Sequence, residues 1–457
     1  MRIHILGIAG TMTAPLAVAL KKQGHIVTGS DQEKIYPPFN ILLKKAKISV
    51  NSIDINKKID FNIIGSSYKS FHQTQKDFEQ IKHLHLPFIS ATKYISQYIA
   101  KPNSIIIAGS FGKTTITSLI AWIFSKTKIN PSYMFAGNPI NKFDPIHFSP
   151  SDWSILEGDE SINGLDKMAK FLYYPCKYLL LTSAQWEHKD SYPKAIDNFN
   201  AFKKLILNVP QDGIVIINSQ DYQAKDLSIY AKSKVVTYNS PSSNYFIDKY
   251  QIKNGFTTLV INTPNGLIPI NTRLIGQFNF ENILAAVTLC DQLKINRHLI
   301  QKAIFSFRGI KRRLELVGNY EKILFFDDFA QSAPRINSTI KAIQLHYPNQ
   351  PIKIFFQAHA SFLQHKSSLI ELKKVFQPAS EIILGPLKYT QNLKTQDRLT
   401  VKDFKSKIGK KLIYLPLEKQ IIDHYIHHLH PNDIFIYMSS GGLSGSNILK
   451  SIIKRFK

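Results

Sequence analysis

The stretch AGSFGKTT at 108–115 constrains the fold of this chain more than any other feature. It follows an apolar, strand-like run, SIIIAG (104–109), and opens a segment with helical periodicity, ITSLIAWIF (116–124). A glycine turn between a buried strand and a helix start lets loop and first-turn N–H groups converge on phosphate oxygens. It predicts an α/β domain that holds a nucleotide at the carboxyl end of a parallel strand. Position 107 is Ile, so the loop has the shortened GxxGKT form rather than GxxxxGK[ST]. Gly109, Ser110, Gly112, Lys113, Thr114 and Thr115 are the candidate ATP-binding residues. In this pattern the lysine reaches the β- and γ-phosphates and the threonine hydroxyl ligates Mg²⁺.

A Mg²⁺–ATP site needs more ligands than one threonine. Two later apolar runs end in suitable groups. ILEGDE (155–160) supplies Glu157, Asp159 and Glu160, and TSAQWEHKDSY (182–192) supplies Glu187, His188 and Asp190. Strand ends of one α/β sheet share an edge, so these features predict phosphoryl chemistry and not nucleotide binding alone. In GQFNFEN (276–282), Asn279 and Asn282 stand three apart at a helix start, where helix capping and nucleotide binding account for them equally well. Arg312, in IKRRLE, suits an α-phosphate, and Asp328, in DDF (327–329), suits ribose hydroxyls.

The order of elements extends this α/β reading to the whole chain. RIHIL (2–6), the turn GIAGT (7–11), a periodic helix over 12–22, HIVTGSD (25–31) and FNIIGSS (61–67) make a β-α-β rhythm. GIAGT lacks a full GxGxxG, which argues against a dehydrogenase, although a pyrophosphate fits such a helix start. A signal peptide is the other reading of the first residues. Gly7 and Gly10 interrupt the apolar run, and KKQGH stands where a cleavage site belongs. A second series begins at 104, with later strands at 153–160, 177–183 and 213–219. Residues 238–272 read as short antiparallel strands and turns, and 273–293 as a helix after a glycine turn. The pattern resets near FRGIKRRLE (307–315), after which strands at 321–329, 352–358, 380–386 and 433–439 alternate with amphipathic helices. At 457 residues one core is not enough. The expected domains are 1–101, 102–310 and 311–457.

Charge narrows the partners. The 58 Lys+Arg against 32 Asp+Glu, a net +26, suit anionic ligands or simply solvated faces. The basic residues are dispersed and lack an aromatic-rich RNA-binding signature, so no nucleic-acid partner is expected. Cys176 and Cys290 form no CxxC, which fits a reducing cytoplasm. No uncharged apolar run is long enough to span a bilayer, so no membrane insertion is expected. Nothing in the sequence points to an oligomeric state.

Taken together, GIAGT, AGSFGKTT, ILEGDE, WEHKD, the GxxNxxN helix start, GIKRRLE and DDFA resemble the Mur ligase family over essentially the whole chain. The resemblance implies an α/β, three-domain architecture: an N-terminal Rossmann-like domain for a UDP-sugar, a central P-loop ATPase-like domain, and a C-terminal Rossmann-like ligase domain. It implies ATP and Mg²⁺ as cofactors, with Thr114, Glu157 and His188 as metal ligands and Lys113, Glu157 and His188 as the catalytic set. Gly7, Gly10, Thr11, Asp31 and Ser66 would bind the UDP-N-acetylmuramate substrate. The implied reaction passes the ATP γ-phosphate to a muramate carboxylate, and an amine then attacks the acyl phosphate.

TGSDQEKIYPP (28–38), the GDE form of the acidic strand and DIFIYMSSGGLSG (433–445) point to the family reaction that attaches the tripeptide L-alanyl-γ-D-glutamyl-meso-diaminopimelate in peptidoglycan recycling. The alternative is attachment of L-alanine. Phe111, Phe278, Gln331 and Ser332 replace histidines of the family pattern, so a diverged, catalytically weak nucleotide-binding homologue is a further alternative.

Overall fold

The computed structural model describes the chain except residues 37, 55–57, 187–190, 254, 331, 360, 388, 390–392 and 442–443, and the side chains of 361–362 and 444–446. The architecture is α/β and three-domain, with one parallel or mostly parallel sheet in each domain.

In the N-terminal part, β1 (Arg2–Leu6), β2 (Ile26–Ser30), β3 (Ser49–Val50), β4 (Phe61–Ile64) and β5 (Phe88–Ser90) form a parallel sheet in the order β3-β2-β1-β4-β5. The central sheet holds β6 (Asn103–Ala108), β7 (Ser132–Met134), β8 (Ile146–His147), β9 (Trp153–Gly158), β10 (Tyr178–Leu181), β11 (Ile214–Asn218) and β12 (Lys234–Tyr238). Its order is β12-β11-β10-β6-β9-β7-β8, and among its strands only β8 runs antiparallel to its neighbour. The strand at the middle of this sheet is covered on both faces. Ile105, Ile106 and Ile107 of β6 are fully buried, which is why the run is continuously apolar instead of alternating. Truncating one of them to Ala costs about 2–5 kcal/mol.

Residues 246–272 form the expected antiparallel strands, β13 (Phe246–Lys253), β14 (Phe256–Thr263) and β15 (Gly266–Thr272). The helix Gln277–Gln292 follows Gly276, which has φ +92 and whose absent Cβ would lie 2.4 Å from the Ala342 Cβ. Only glycine fits that turn.

The third sheet contains β16 (Glu315–Tyr320), β17 (Ile323–Asp328), β18 (Ile352–Gln357), β19 (Glu381–Leu384), β20 (Leu412–Tyr414) and β21 (Ile434–Ser439), in the order β16-β17-β21-β18-β19-β20. All pairs are parallel except β16–β17. That hairpin is not legible in the sequence. Its two-residue turn uses Glu321 and Lys322, both at positive φ, where Asn-Gly or Asp-Gly is the usual signal. β16 is also largely solvent-facing and carries no apolar alternation.

By packing, the chain divides into two compact units. One comprises Met1–Arg273 with Phe280–Arg308, and so holds the first two sheets. The other comprises Leu274–Asn279 with Gly309–Lys457. Among the described residues no helix is long and apolar enough to cross a membrane.

Candidate functional site

The central sheet places β6 between β10 and β9, and Ala108 is in register with Leu181 on one side and Gly158 on the other. The segments that follow these three strands therefore emerge at one sheet edge, beside the point where the strand order reverses. Gly109 has φ +124, and a Cβ there would stand 2.3 Å from Thr182 Oγ1. Gly112 has φ +80 and immediately precedes the helix Lys113–Phe124; its Cβ would stand 2.4 Å from Asn282 Oδ1. Both positions demand glycine for backbone conformation and for space.

The chain after β10 supports the loop from beneath. Thr182 donates its hydroxyl to the Phe111 carbonyl at 2.7 Å and to the Ala108 carbonyl at 3.3 Å. Ser110 donates its N–H to Ser183 Oγ at 2.9 Å and its hydroxyl to the Gln185 carbonyl at 3.0 Å. The helical ladder begins with Ile116 N–H on the Gly112 carbonyl at 2.9 Å. The N–H groups of Lys113, Thr114 and Thr115 thus precede the ladder, at the positive end of a twelve-residue helix. This is the cradle a polyphosphate requires.

Lys113 and Thr114 each meet an acid from β9 or the residues after it. The Thr114 hydroxyl donates to Glu157 Oε1 at 2.8 Å, and the other Glu157 oxygen accepts the Ala136 N–H at 2.7 Å. Burial pushes the Glu157 carboxyl above its ordinary range, against the lowering effects of the Ala136 N–H, the Lys113 charge and the Thr114 hydroxyl. Lys113 Nζ donates to the Gly109 carbonyl at 2.6 Å and to both Glu160 oxygens at 3.0 and 2.7 Å. Asp159 points elsewhere, to Lys170 Nζ at 2.8 Å and to the Ser161 N–H and hydroxyl. Burial works to raise the Asp159 carboxyl, but Lys170 and these hydrogen bonds hold it well below the usual carboxylate range.

The chemistry of the donor set suits a small divalent cation. Thr114 and Glu157 present hard oxygens side by side, and a cation there would offset the burial of Glu157. His188, the third expected ligand, lies outside the described residues, as do Glu187 and Asp190. Among the described residues no cluster of three or more acids, histidines or cysteines has metal-binding geometry. Asn282 adjoins the loop at Gly112, whereas Asn279 donates its side-chain amide N–H to the Ile275 carbonyl at 2.8 Å, which ties the helix start to the chain before it.

A second strand-end cluster sits at the N-terminal sheet. Gly7, at φ +69, and Ile8 donate to the Ser30 carbonyl at 2.8 and 3.1 Å. Asp31 is buried and accepts the N–H groups of Ala9 and Gln32, both at 2.8 Å. Thr13 ties Gly7 to Gly10, donating to the Gly7 carbonyl at 2.6 Å and accepting the Gly10 N–H at 3.0 Å. Thr11 and Ser66 are exposed, and a Cβ on Gly7 would come within 2.9 Å of Ser67 Oγ. The structure thus gathers Gly7, Gly10 and Asp31 into one turn and brings the Ser66–Ser67 segment against it.

The two remaining expected residues belong to the second unit. Asp328 is buried and accepts the N–H groups of Leu314 at 2.8 Å and Ala330 at 2.9 Å, so its oxygens hold backbone. Arg312, with φ +60, donates to the Ser439 carbonyl at 2.5 Å, lies 3.6 Å from Asp327 and covers the Phe329 ring. Of the residues expected to replace family histidines, Phe111 lends its carbonyl to Thr182, Phe278 packs against the core of the second unit, and Ser332 precedes the helix Ala333–His346. Gln331 lies outside the described residues. Sequence reasoning did not foresee Thr182 and Ser183 as supports of the loop. The small residues that end KYLLLTS were the available signal.

Comparison with known proteins bears on the same segments. Two family models match: the Mur ligase family catalytic domain over residues 2–101, and the Mur ligase middle domain over residues 107–290. The UDP-N-acetylmuramate–L-alanine ligase of Pelagibacter ubique (strain HTCC1062) is 29% identical over 461 residues, covering 97% of this chain and 96% of its own. The UDP-N-acetylmuramate–L-alanyl-γ-D-glutamyl-meso-2,6-diaminoheptandioate ligase of Escherichia coli (strain K12) is 27% identical over 355 residues, covering 75% of this chain and 76% of its own. A crystal structure of a UDP-N-acetylmuramate–alanine ligase from Thermotoga maritima shares the fold at a TM-score of 0.79 and 18% identity, covering 100% of this chain and 99% of its own.

Proposed function

We propose that this chain, which belongs to the Mur ligase family and so is an ATP-dependent ligase forming C–N amide bonds, joins L-alanine to the carboxylate of UDP-N-acetylmuramate. The observation that carries the phosphoryl chemistry is the pairing of Thr114 with Glu157 and of Lys113 with the phosphate loop. Thr114 and Glu157, with His188, would hold Mg²⁺, which would supply charge stabilisation for phosphoryl transfer. Lys113 adds a second positive charge where negative charge develops. The loop N–H groups orient the β- and γ-phosphates, and Arg312 serves the nucleotide from the C-terminal domain, where Asp328, expected at the ribose, braces the backbone beside it. Gly7, Gly10, Thr11, Asp31 and Ser66 form or flank the UDP-sugar site. The domains are taken as 1–101, 102–310 and 311–457, and the enzyme as cytoplasmic.

L-alanine is preferred over the tripeptide because the Pelagibacter relative aligns over nearly its whole length and this one's, whereas the tripeptide ligase aligns over three quarters. The YPP segment and the GDE strand favour the tripeptide and make it the second reading.

Phosphate release from ATP with UDP-N-acetylmuramate, run with L-alanine, with the tripeptide and with no amine, decides between them. Release dependent on L-alanine, with an amide product of matching mass, is expected. Release dependent on the tripeptide alone would overturn the assignment. Silence in all three, with ATP still bound, would mark a diverged nucleotide-binding homologue.

A further inference from the structure

We infer that Glu160 is a positioning residue for the loop lysine: it holds Lys113 folded back into the phosphate loop, and a triphosphate must take the lysine from it. The inference rests on the reading of this loop as an ATP site, and not on the identity of the amine.

Glu160 is 2% exposed, and both of its oxygens accept from Lys113 Nζ, whose third acceptor is the Gly109 carbonyl inside the loop. The ammonium thus spends its three donors on protein oxygens. Such charge-assisted contacts away from bulk water are strong, and any phosphate must compete with them.

The two partners differ in mobility. Glu160 is fixed through its backbone: the Tyr192 hydroxyl donates to its carbonyl at 2.5 Å, and its neighbour Asp159 is bound to Lys170 and Ser161. Farther along the same segment, Asn163 donates to Ser90 Oγ at 3.1 Å and Tyr173 Oη at 2.9 Å. Gly164 lies so close to Ser66 that a Cβ would stand 3.0 Å from the Ser66 carbonyl oxygen. The carboxylate is therefore held in place while the lysine rides on a flexible four-carbon stem. Exchange occurs by the lysine swinging from Glu160 toward phosphate, and the apparent affinity for nucleotide is reduced by the fraction of molecules in which the lysine is still held.

Direct binding of a non-hydrolysable ATP analogue with Mg²⁺, and of adenosine, to the full chain and to Glu160→Gln tests this. Gln keeps the shape and weakens the hold, so the analogue should bind about five-fold tighter while adenosine binding stays unchanged. In turnover, KM for ATP falls and kcat does not rise. Glu160→Asp keeps the charge on a shorter arm and gives an intermediate shift, which guards against a folding defect peculiar to the amide. Weaker analogue binding by both variants, or an equal change for adenosine, would make Glu160 a structural residue and overturn the inference. No analogue binding by the unmodified chain would overturn it together with the ATP-site reading, whereas a failed L-alanine assay leaves it standing.

Discussion

At the carboxyl edge of the central sheet, Glu157 and Glu160 meet the side chains of Thr114 and Lys113. At the carboxyl edge of the third sheet, Asp328 meets the backbone N–H groups of Leu314 and Ala330. Both edges end parallel strands in buried acids. The difference is what can be released. A hydroxyl or an ammonium on a side chain can turn to a ligand at the cost of a rotamer change. A backbone N–H in a turn cannot do so without opening the turn. The first edge can therefore exchange its partners, as the proposed nucleotide and metal site requires. In the second, Asp328 braces the chain between the Leu314 turn and the residues after β17.

The sharpest way to break this contrast is Lys113→Ala. Phosphate release should fall about 10²–10³-fold, since the lysine acts on developing charge. Removing it also strands Glu160 in a buried position, so stability should drop by about 3 kcal/mol in denaturant unfolding. Adding Glu160→Gln to that variant should recover the stability and leave the activity lost. Retained phosphate release in Lys113→Ala would mean that the exchangeable edge is not where the chemistry happens.

A matched pair comes next. Glu157→Gln should lower activity by about 10²-fold and raise the Mg²⁺ requirement while leaving unfolding nearly unchanged, because a buried carboxylate is replaced by a neutral group. Asp328→Asn keeps the shape but loses one backbone acceptor, so stability should fall by about 1–3 kcal/mol. Titrating Mg²⁺ in the phosphate assay and measuring urea unfolding for each variant checks the pair. Reversed effects would dissolve the distinction between the two edges.

The smallest effect concerns Asp327. Burial raises its carboxyl to about 7, with Arg312 pulling in the opposite direction. The folded state therefore favours the protonated acid, and its contribution to stability is complete below about pH 4 and lost as pH rises through about 7. Asp327→Asn removes that loss. Its stability relative to the unmodified chain should rise with pH between those limits, as read from urea unfolding at several pH values. A flat difference would mean that Arg312 keeps Asp327 ionised throughout.

Much of the site was legible as local pattern. AGSFGKTT between strand and helix forces left-handed glycines at 109 and 112, and a helix start after Gly112, because neighbours within a few residues determine both. The continuous apolar runs of β6, β9 and β10 announce strands buried on both faces, and strands that alternate with helices announce parallel sheets. The β16–β17 hairpin escaped notice because Glu321 and Lys322 take a turn conformation that their side chains do not signal.

What the sequence determined by itself was most of the elements and the chemistry available at their ends: a glycine loop carrying Lys113 and Thr114, acids at the ends of β9 and β17, and glycine turns at 7 and 276. What only the tertiary structure decided was the pairing. Glu160, and not Asp159, reaches Lys113 across 47 positions, and Thr182 reaches under the loop from 71 positions away. Asp328 turns to backbone while Glu157 turns to a hydroxyl. Those choices depend on strand order in a folded sheet and on which way each chain leaves its strand. No periodicity within a short window carries that information.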